Sequence, residues 1–564
     1  MSSAQPRAFF FLEDPSSKPG SSGRKQELSA EARSHISRQA HLRASRGPKG
    51  LKFVTYFPRT IQNRDGAIEA KESGESGGDR NEATADGKNA LVDANSAYID
   101  ADASERIPPS PDKGASLDPF NSLAVTKTTS EDRFLLHYAF SRTLPAFGET
   151  ASDKRDFTES WISRTMECPA VFYSQILGAS THFRITCPAA GAKTRIHETA
   201  LQRKIQAIKA LRTTVEQSQL GSRGIDNSVL LTIFILAIHD NFDASKKPEP
   251  HPLSPLARCR DMDIYGRMSF GKEHINALYY LVEQKGGISS VDQHVFGYVL
   301  PLFDIVLSAR FGTVPRFACP RQLKPLLDGG AWKPDEEALH MLGTLGKGLQ
   351  PSTNTPWPPF LAPEMVEVVQ AMAQITVALD HHSRGGPGAP ASVDLLFNNC
   401  DWVTHTLLSI PPYIELPDEN QPQERVPNMV SCLREICRLC ALVYVDMVIL
   451  PSPPHTGIKR RLSKAILRLI ETVLRGNGQR HSRVSEFLVW ATILGAIAVR
   501  FTDLEGSYRK HIKKIVQTSA WDVVHRQLKR YLWFGPVCGD PAVKIWSETE
   551  DAMLQNPTDD MLLP

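Results

Sequence analysis

A few clusters in this 564-residue chain combine residue types and spacings that could do chemistry. Cys432, Cys437 and Cys440 follow an x4, x2 spacing, and the last two share a helix face, where thiolates would hold zinc or an iron–sulfur centre. They sit inside an apolar run between Leu433 and Leu442 with no fourth ligand nearby in sequence. Buried free cysteine behaves as a small hydrophobe, so core packing is the expectation. Asp380, His381 and His382 form a second cluster just before Gly385 and Gly386. Histidine in the last turn of a helix is also what the helix dipole favours, and the same holds for His239 at the end of its own apolar run, so both are expected to be packed or capping groups. No catalytic, cofactor-binding or metal-binding residues are assigned from the sequence.

Basic residues supply the remaining candidates. Residues 32–64 contain no acidic side chain, and Arg33, Arg38, Arg43, Arg46, Lys49 and Lys52 lie among them. Clustered Arg and Lys gain affinity for a polyanion by releasing its counterions, so these six are the expected nucleic-acid contacts or part of a nuclear import signal; the competing expectation is a solvated basic tail. Two further groups, Lys459, Arg460, Arg461 and Lys464, then Arg509, Lys510, Lys513 and Lys514, read as solvated helix faces or, alternatively, as import or partner surfaces. Trp521, Tyr531, Trp533 and Phe534 stand beside Arg526, Lys529 and Arg530 and could stack bases. Inward packing of Val524, Leu528 and Leu532 with the aromatics closing the body is the expected alternative.

The elements that must hold these groups are helical. Across residues 229–238 only Thr232 is not apolar. Such a run is too short for a bilayer, which needs about 20 residues, and a helix apolar on all sides belongs inside a core. Leu201, Ile205, Ile208, Leu211 and Val215 recur on one face of a preceding helix, expected to pack inward on that core helix. The proline-rich loop 241–259 is expected to be exposed. Ile275, Leu278, Leu281 and Val282 mark a helix stopped by Gly286 and Gly287. In the next segment Ser289 or Ser290 is the expected cap, and Pro301 is expected to split it into two helices. Residues 431–450, 458–474 and 485–501 continue the helical pattern, and no transmembrane helix is expected.

Composition excludes little beyond extremes. With 41% hydrophobic and 23% charged residues, the chain falls in the ordinary globular range, and a formal charge of +3 rules out bulk polyanion binding. Nine scattered cysteines do not read as a disulfide framework. There is no GxxxxGK[ST], GxGxxG or HExxH motif, which lowers the case for an enzyme.

Several stretches occur together in a distinctive order: ARSHISRQAHLRASR near the start, LDPFNSLAV at 117–125, LTIFILAIHDNF, HINALYYLVEQKGGI, LFDIVLSARFGTVPRF, CRLCALVYVDMVI, EFLVWATILGAIA and WDVVHRQLKRYLWFGPVCGDPAVKIW. In this order they resemble the fungal-specific transcription factor family, over most of residues 117–550 plus the N-terminal arm. The resemblance implies a helical regulatory domain serving regulation, dimerisation or partner binding. It departs from zinc-cluster members in one respect, because the first 167 residues contain no cysteine; the six-cysteine DNA-reading module is missing.

The expected fold is all-α, an array of amphipathic helix pairs around buried helices. Its expected divisions are a basic arm with a short helix (1–64), a disordered Gly/Ser/acidic linker (65–116), a helical domain (117–550) and a C-terminal tail (551–564). The expected function is a transcription-regulator-like protein without enzymatic activity or cofactor, in the nucleus or alternatively the cytoplasm. Its expected partners are a second copy or other regulators, with DNA contact weak or indirect and no membrane contact. The alternative is a helical scaffold that binds no DNA.

Overall fold

The computed structural model describes residues 123–125, 127–144, 151–187, 196–220, 225–239, 254–327, 332–350, 360–414, 428–453, 456–476, 482–516 and 520–555. All belong to one compact unit, Asp93–Pro564. Of the described residues 77% are helical and none forms a strand, so the fold is all-α. The arm and linker, including Arg33, Arg38, Arg43, Arg46, Lys49 and Lys52, lie outside the described residues.

The first layer comprises α1 (Ser130–Tyr138), α2 (Ala151–Glu167), α3 (Pro169–Thr186), α4 (Ile196–Leu220) and α5 (Asn227–Ile238). Thr129 and Asp132 close a reciprocal capping box at the start of α1, with Thr129 Oγ1 accepting from Asp132 N at 3.1 Å and Asp132 Oδ2 accepting from Thr129 N at 2.9 Å. Asp226 caps α5 by accepting from Ser228 N at 2.6 Å. Every side chain from Val229 to Ile238 is buried. Thr232, the one polar member, donates to Ser228 O at 2.9 Å, so it costs no unpaired group. As expected from the sequence, α5 is the buried centre of this layer.

Helix α4 corrects the expected face. Leu201, Ile205 and Ile208 are 53%, 54% and 41% exposed, while Ala200, Arg203, Ala207 and Leu211 are buried. The buried face is turned by one residue, about 100°. Two causes act together: Ala200 and Ala207 offer a small-residue face that nests closely on neighbouring helices, and Arg203 donates from Nε to the buried Asp132 Oδ1 at 2.7 Å. A carboxylate buried without a partner is far costlier than three half-exposed aliphatic side chains.

A 3-10 segment (Pro255–Asp261), the single turn α6 (Met262–Tyr265), α7 (Lys272–Lys285) and α8 (Gln293–Phe311) cross this layer. Helix α7 ends at Gly286, whose φ of +107° needs a residue without a side chain. Helix α8 is one helix rather than two, capped by Asp292 instead of Ser289 or Ser290, and Pro301 lies inside it. The proline removes one hydrogen bond, but Leu300, Pro301, Leu302 and Phe303 are all buried; packing on both sides outweighs the local break. By length and composition α8 could cross a membrane, yet it is largely buried within the helical body.

The second layer contains α9 (Glu336–Thr344), α10 (Pro363–Arg384), α11 (Phe397–Ser409), α12 (Met429–Tyr444), α13 (Ile458–Arg475), α14 (Ser482–Ala498), α15 (Glu505–Ile515), α16 (Trp521–Leu528) and α17 (Gly535–Gln555). Its core is continuous from Leu256 through Trp546, and α8 contributes Ile305 to it while giving Val295, Phe296 and Val299 to the first layer's core. That places α8 between the two cores. Single π-helical turns extend α1 (Ala139–Thr143) and α12 (Val445–Ile449), a rare distortion that often marks functional positions.

Candidate functional site

A cavity of about 830 Å³ of empty space, its open mouth included, lies where α2, α3, α5, α6 and α8 converge. Each wall has a local cause. The π-turn after α1 brings Thr143 and Leu144 to the cavity, with Thr143 Oγ1 satisfied by Ala139 O at 3.0 Å. From α2, Trp161 donates through Nε1 to Gln175 Oε1 of α3 at 2.7 Å, which holds both at the wall. The C-terminal half of α5 adds Phe234, Ile235 and Ile238, and α8 adds Val299, Leu302, Phe303 and Val306.

His239 ends α5 and faces the cavity. Its Nδ1 lies 2.8 Å from Ile235 O; a carbonyl only accepts, so Nδ1 carries the proton and Nε2 is left as an acceptor. Part of the ring keeps accessible surface toward the cavity, but it is embedded in protein, and loss of hydration pushes its pKa down to about 4 despite the bond to Ile235. His239 is therefore a neutral imidazole at neutral pH. The helix-capping role expected from the sequence is what the geometry shows. Gly178 of α3 makes room for it: a Cβ there would sit 3.1 Å from His239 Cε1.

The strongest polar feature was missed in the sequence. The end of the proline-rich loop, expected to be exposed, is instead buried at Ser254, Leu256 and Ala257, as is Arg260 just beyond it. Ser254 Oγ donates to Val448 O in the second π-turn at 2.6 Å, anchoring the segment to the second layer. At its end Arg260 and Asp261 both adopt left-handed backbone, with φ of 54° and 53°. Non-glycine residues there cost of order 1–3 kcal/mol each and persist only when neighbours impose them. Here the neighbours are identifiable. Arg260 Nη1 donates to Asp401 Oδ1 of α11 at 2.7 Å, and its Cζ lies 4.0 Å from the Phe397 ring centroid. Burial opposes the charge on Arg260, but Asp401 outweighs it and holds the guanidinium ionised. Asp261 Oδ2 lies 3.2 Å from His182 Nε2.

His182 is also bonded through Nδ1 to Tyr138 Oη at 2.7 Å. A Tyr138–His182–Asp261 chain thus runs beside the cavity, formally like a nucleophile, base and orienting acid. Its chemistry is wrong for a nucleophile, because burial pushes the Tyr138 hydroxyl up to about 12. Activation requires the opposite shift. The chain instead fixes the strained turn to α3.

The groups singled out in the sequence go separate ways. Cys432, Cys437 and Cys440 are buried free thiols, and burial pushes Cys437 up to about 12, far from the thiolate a metal needs. Among the described residues no group of three His, Cys, Asp or Glu side chains is placed to hold a metal ion. His381 is fully buried and accepts from Trp332 Nε1 at 3.0 Å, His382 is bonded to Pro390 O at 2.7 Å, and Asp380 accepts from Arg384 at 2.7 Å; these three do not converge. Of the group Lys459, Arg460 and Arg461, only Lys459 leaves the expected solvated face; Arg460 and Arg461 are exposed. Lys459 is buried against Asp446 at 2.8 Å, Arg460 pairs with Asp503 at 2.7 Å, and Arg461 donates to the carbonyls of Arg310 and Ala309 at the end of α8. Arg509 pairs with Glu505 and Glu548. Tyr531, Trp533 and Phe534 are buried, as are Val524, Leu528 and Leu532, which is the inward packing expected.

No protein-family model, curated protein or solved structure matches this chain.

Proposed function

We propose that the protein is a transcription-regulator-like protein of the fungal-specific kind, without a zinc cluster of its own. Its helical body senses a small, mainly apolar molecule in the cavity and passes occupancy to a dimer or partner surface. It acts in the nucleus and has no catalytic role. Weak DNA contact comes from the basic arm, through Arg33, Arg38, Arg43, Arg46, Lys49 and Lys52, or is supplied by a partner.

The observation that carries this reading is the cavity. It lies against α8, which shares its two sides between the cores, so a ligand there touches the element through which one layer can act on the other. The order of sequence stretches resembling fungal-specific transcription factors supplies the regulatory context. A second reading, a helical interaction protein that binds no DNA, is favoured by the exposed stripe Leu201, Ile205 and Ile208 on α4.

The two readings part in a salt series of binding to mixed duplex DNA by the full-length protein and a version lacking residues 1–64. For B-DNA the log–log slope is about −0.9 per phosphate neutralised. A steep slope that disappears on truncation supports the regulator with its own DNA contact. Absence of binding by both forms, together with a purely cytoplasmic pool, overturns it in favour of the interaction protein.

A further inference from the structure

From the polar atoms left open on the facing walls of α3 and α5 we infer that the cavity takes an uncharged phenol. Its O–H donates to His239 Nε2, its oxygen accepts from the Gln175 side-chain amide, and its ring lies among the aromatic side chains of α5 and α8. This rests on the cavity being the effector site proposed above, and it names the class of effector.

His239 gives its Nδ1 proton to Ile235 O at 2.8 Å, so Nε2 is a pure acceptor. Among the described residues Nε2 has no partner, and it keeps accessible surface, unlike the enclosed unpaired atoms of the protein. Helix α3 sets where that surface looks. The Cβ that Gly178 lacks would lie 3.1 Å from His239 Cε1 and 3.4 Å from Nε2, and Gly178 and His239 both line the cavity. The ring edge carrying Nε2 therefore faces the space the glycine leaves open.

Gln175 stands one turn earlier on the same face of α3, where side chains three residues apart are about 5–6 Å from each other. Trp161 Nε1 donates to Gln175 Oε1 at 2.7 Å, which fixes the amide and turns Nε2 away from the indole. That nitrogen also has no partner among the described residues and keeps accessible surface, although Gln175 as a whole is only 5% exposed. Gln175 lines the cavity too. Buried polar groups are almost always paired, and a hydroxyl is the one small group that can give a hydrogen bond to an acceptor and take one from a neighbouring donor.

The rest of the wall selects against charge and for an aromatic body. Arg260 is its one charged member, but Nη1 is bonded to Asp401 and Nε and Nη2 are closed to solvent, so it presents no open donor fork to an anion. A carboxylate would meet the lone pair of His239 Nε2 and lose its hydration without compensation. Phe303 stands edge-on to Phe234 and Phe270, with ring centroids 5.2 and 5.3 Å apart, and a ligand ring can extend that edge-to-face packing. A sugar or nucleotide is disfavoured because most of its hydroxyls would be left unpaired.

The probes are para-propylphenol, propylbenzene, which lacks the hydroxyl, and para-propylanisole, whose oxygen accepts but cannot donate. Each is titrated calorimetrically into the full-length protein, with Tm recorded alongside. In a purely apolar cavity the phenol would be the weaker ligand, because its hydroxyl would be desolvated unpaired. Here it should raise Tm saturably and bind about tenfold more tightly than propylbenzene, the worth of roughly one net hydrogen bond. The anisole should fall with propylbenzene. His239→Phe keeps a ring against Gly178 but removes the acceptor, and should reverse the order of phenol and propylbenzene. Binding of the phenol no tighter than propylbenzene by the natural sequence, or a phenol preference that survives in H239F, overturns the phenol assignment while leaving the cavity a ligand site. Should H239F not fold, the anisole decides on the natural sequence alone: binding as tight as that of the phenol overturns donation to His239. Failure of all three compounds to bind overturns the cavity as a sensor as well. The DNA salt series reads the regulatory role independently of these results.

Discussion

Arg260 donates from Nη1 to Asp401 Oδ1 at 2.7 Å although 141 positions separate them in sequence. The pair joins the cavity wall of the first layer to α11 of the second. Both side chains are buried, at 5% and 1% exposure. Breaking such a pair leaves an uncompensated buried charge, which costs about 3–5 kcal/mol. Arg260→Met should therefore lower stability by that order in urea unfolding, whereas R260M combined with Asp401→Leu should recover most of the loss. Additive losses in the double variant would show that the two charges are not coupled.

His239 makes stability depend on pH. In the unfolded chain histidine titrates near 6.5, while in the fold its pKa is about 4. Between those values the unfolded state binds a proton that the folded state refuses, so the contribution is fully present above about pH 6.5 and is lost as pH falls towards 4. The expected loss from pH 7 to pH 5 is on the order of 2 kcal/mol. Urea midpoints at both pH values should differ less in His239→Gln than in the natural sequence. An unchanged difference would remove His239 as the cause.

Gly495 of α14 should tolerate no side chain. A Cβ there would lie 2.5 Å from Tyr508 Cε1, Cζ and Oη. Tyr508 cannot swing away, since it is fully buried and donates to Ser463 O at 2.7 Å. Gly495→Ala adds helix propensity but overpacks the core, and the second effect, typically 1–3 kcal/mol, exceeds the first, about 1 kcal/mol. Thermal unfolding of G495A should show a lowered Tm; an increase would mean that the helices can separate to admit a methyl group.

The stripe on α4 should be energetically quiet in the isolated protein. Replacing Leu201, Ile205 and Ile208 together with Gln should change stability by no more than roughly 0.5 kcal/mol per site, as for other surface positions, despite the apolar sequence pattern. A loss of several kcal/mol in the monomer would mean that the stripe is covered in solution.

Much of the architecture could be read from local sequence. The all-apolar run at residues 229–238 had to be buried because no face of it could meet water. Gly286 marked the end of α7 because the left-handed position there excludes side chains. The inward set Val524, Leu528 and Leu532 followed from helical spacing. In each case a residue's own chemistry, or its relation to neighbours within one turn, determines the outcome.

The site needed the fold. Arg260 and Asp261 directly follow a proline-rich loop whose composition points to water, and their strained backbone exists only because Asp401 and His182, remote in sequence, hold the two side chains. The burying of α4 by Ala200, Arg203 and Ala207 rather than Leu201, Ile205 and Ile208 was likewise set by Asp132, because pairing one buried carboxylate outweighs covering three aliphatic side chains. Helix α8 runs unbroken through Pro301 because two cores press on it at once. Local periodicity told which segments are helices and which helix is central; long-range electrostatic pairing and packing decided which faces turn inward and where the cavity opens.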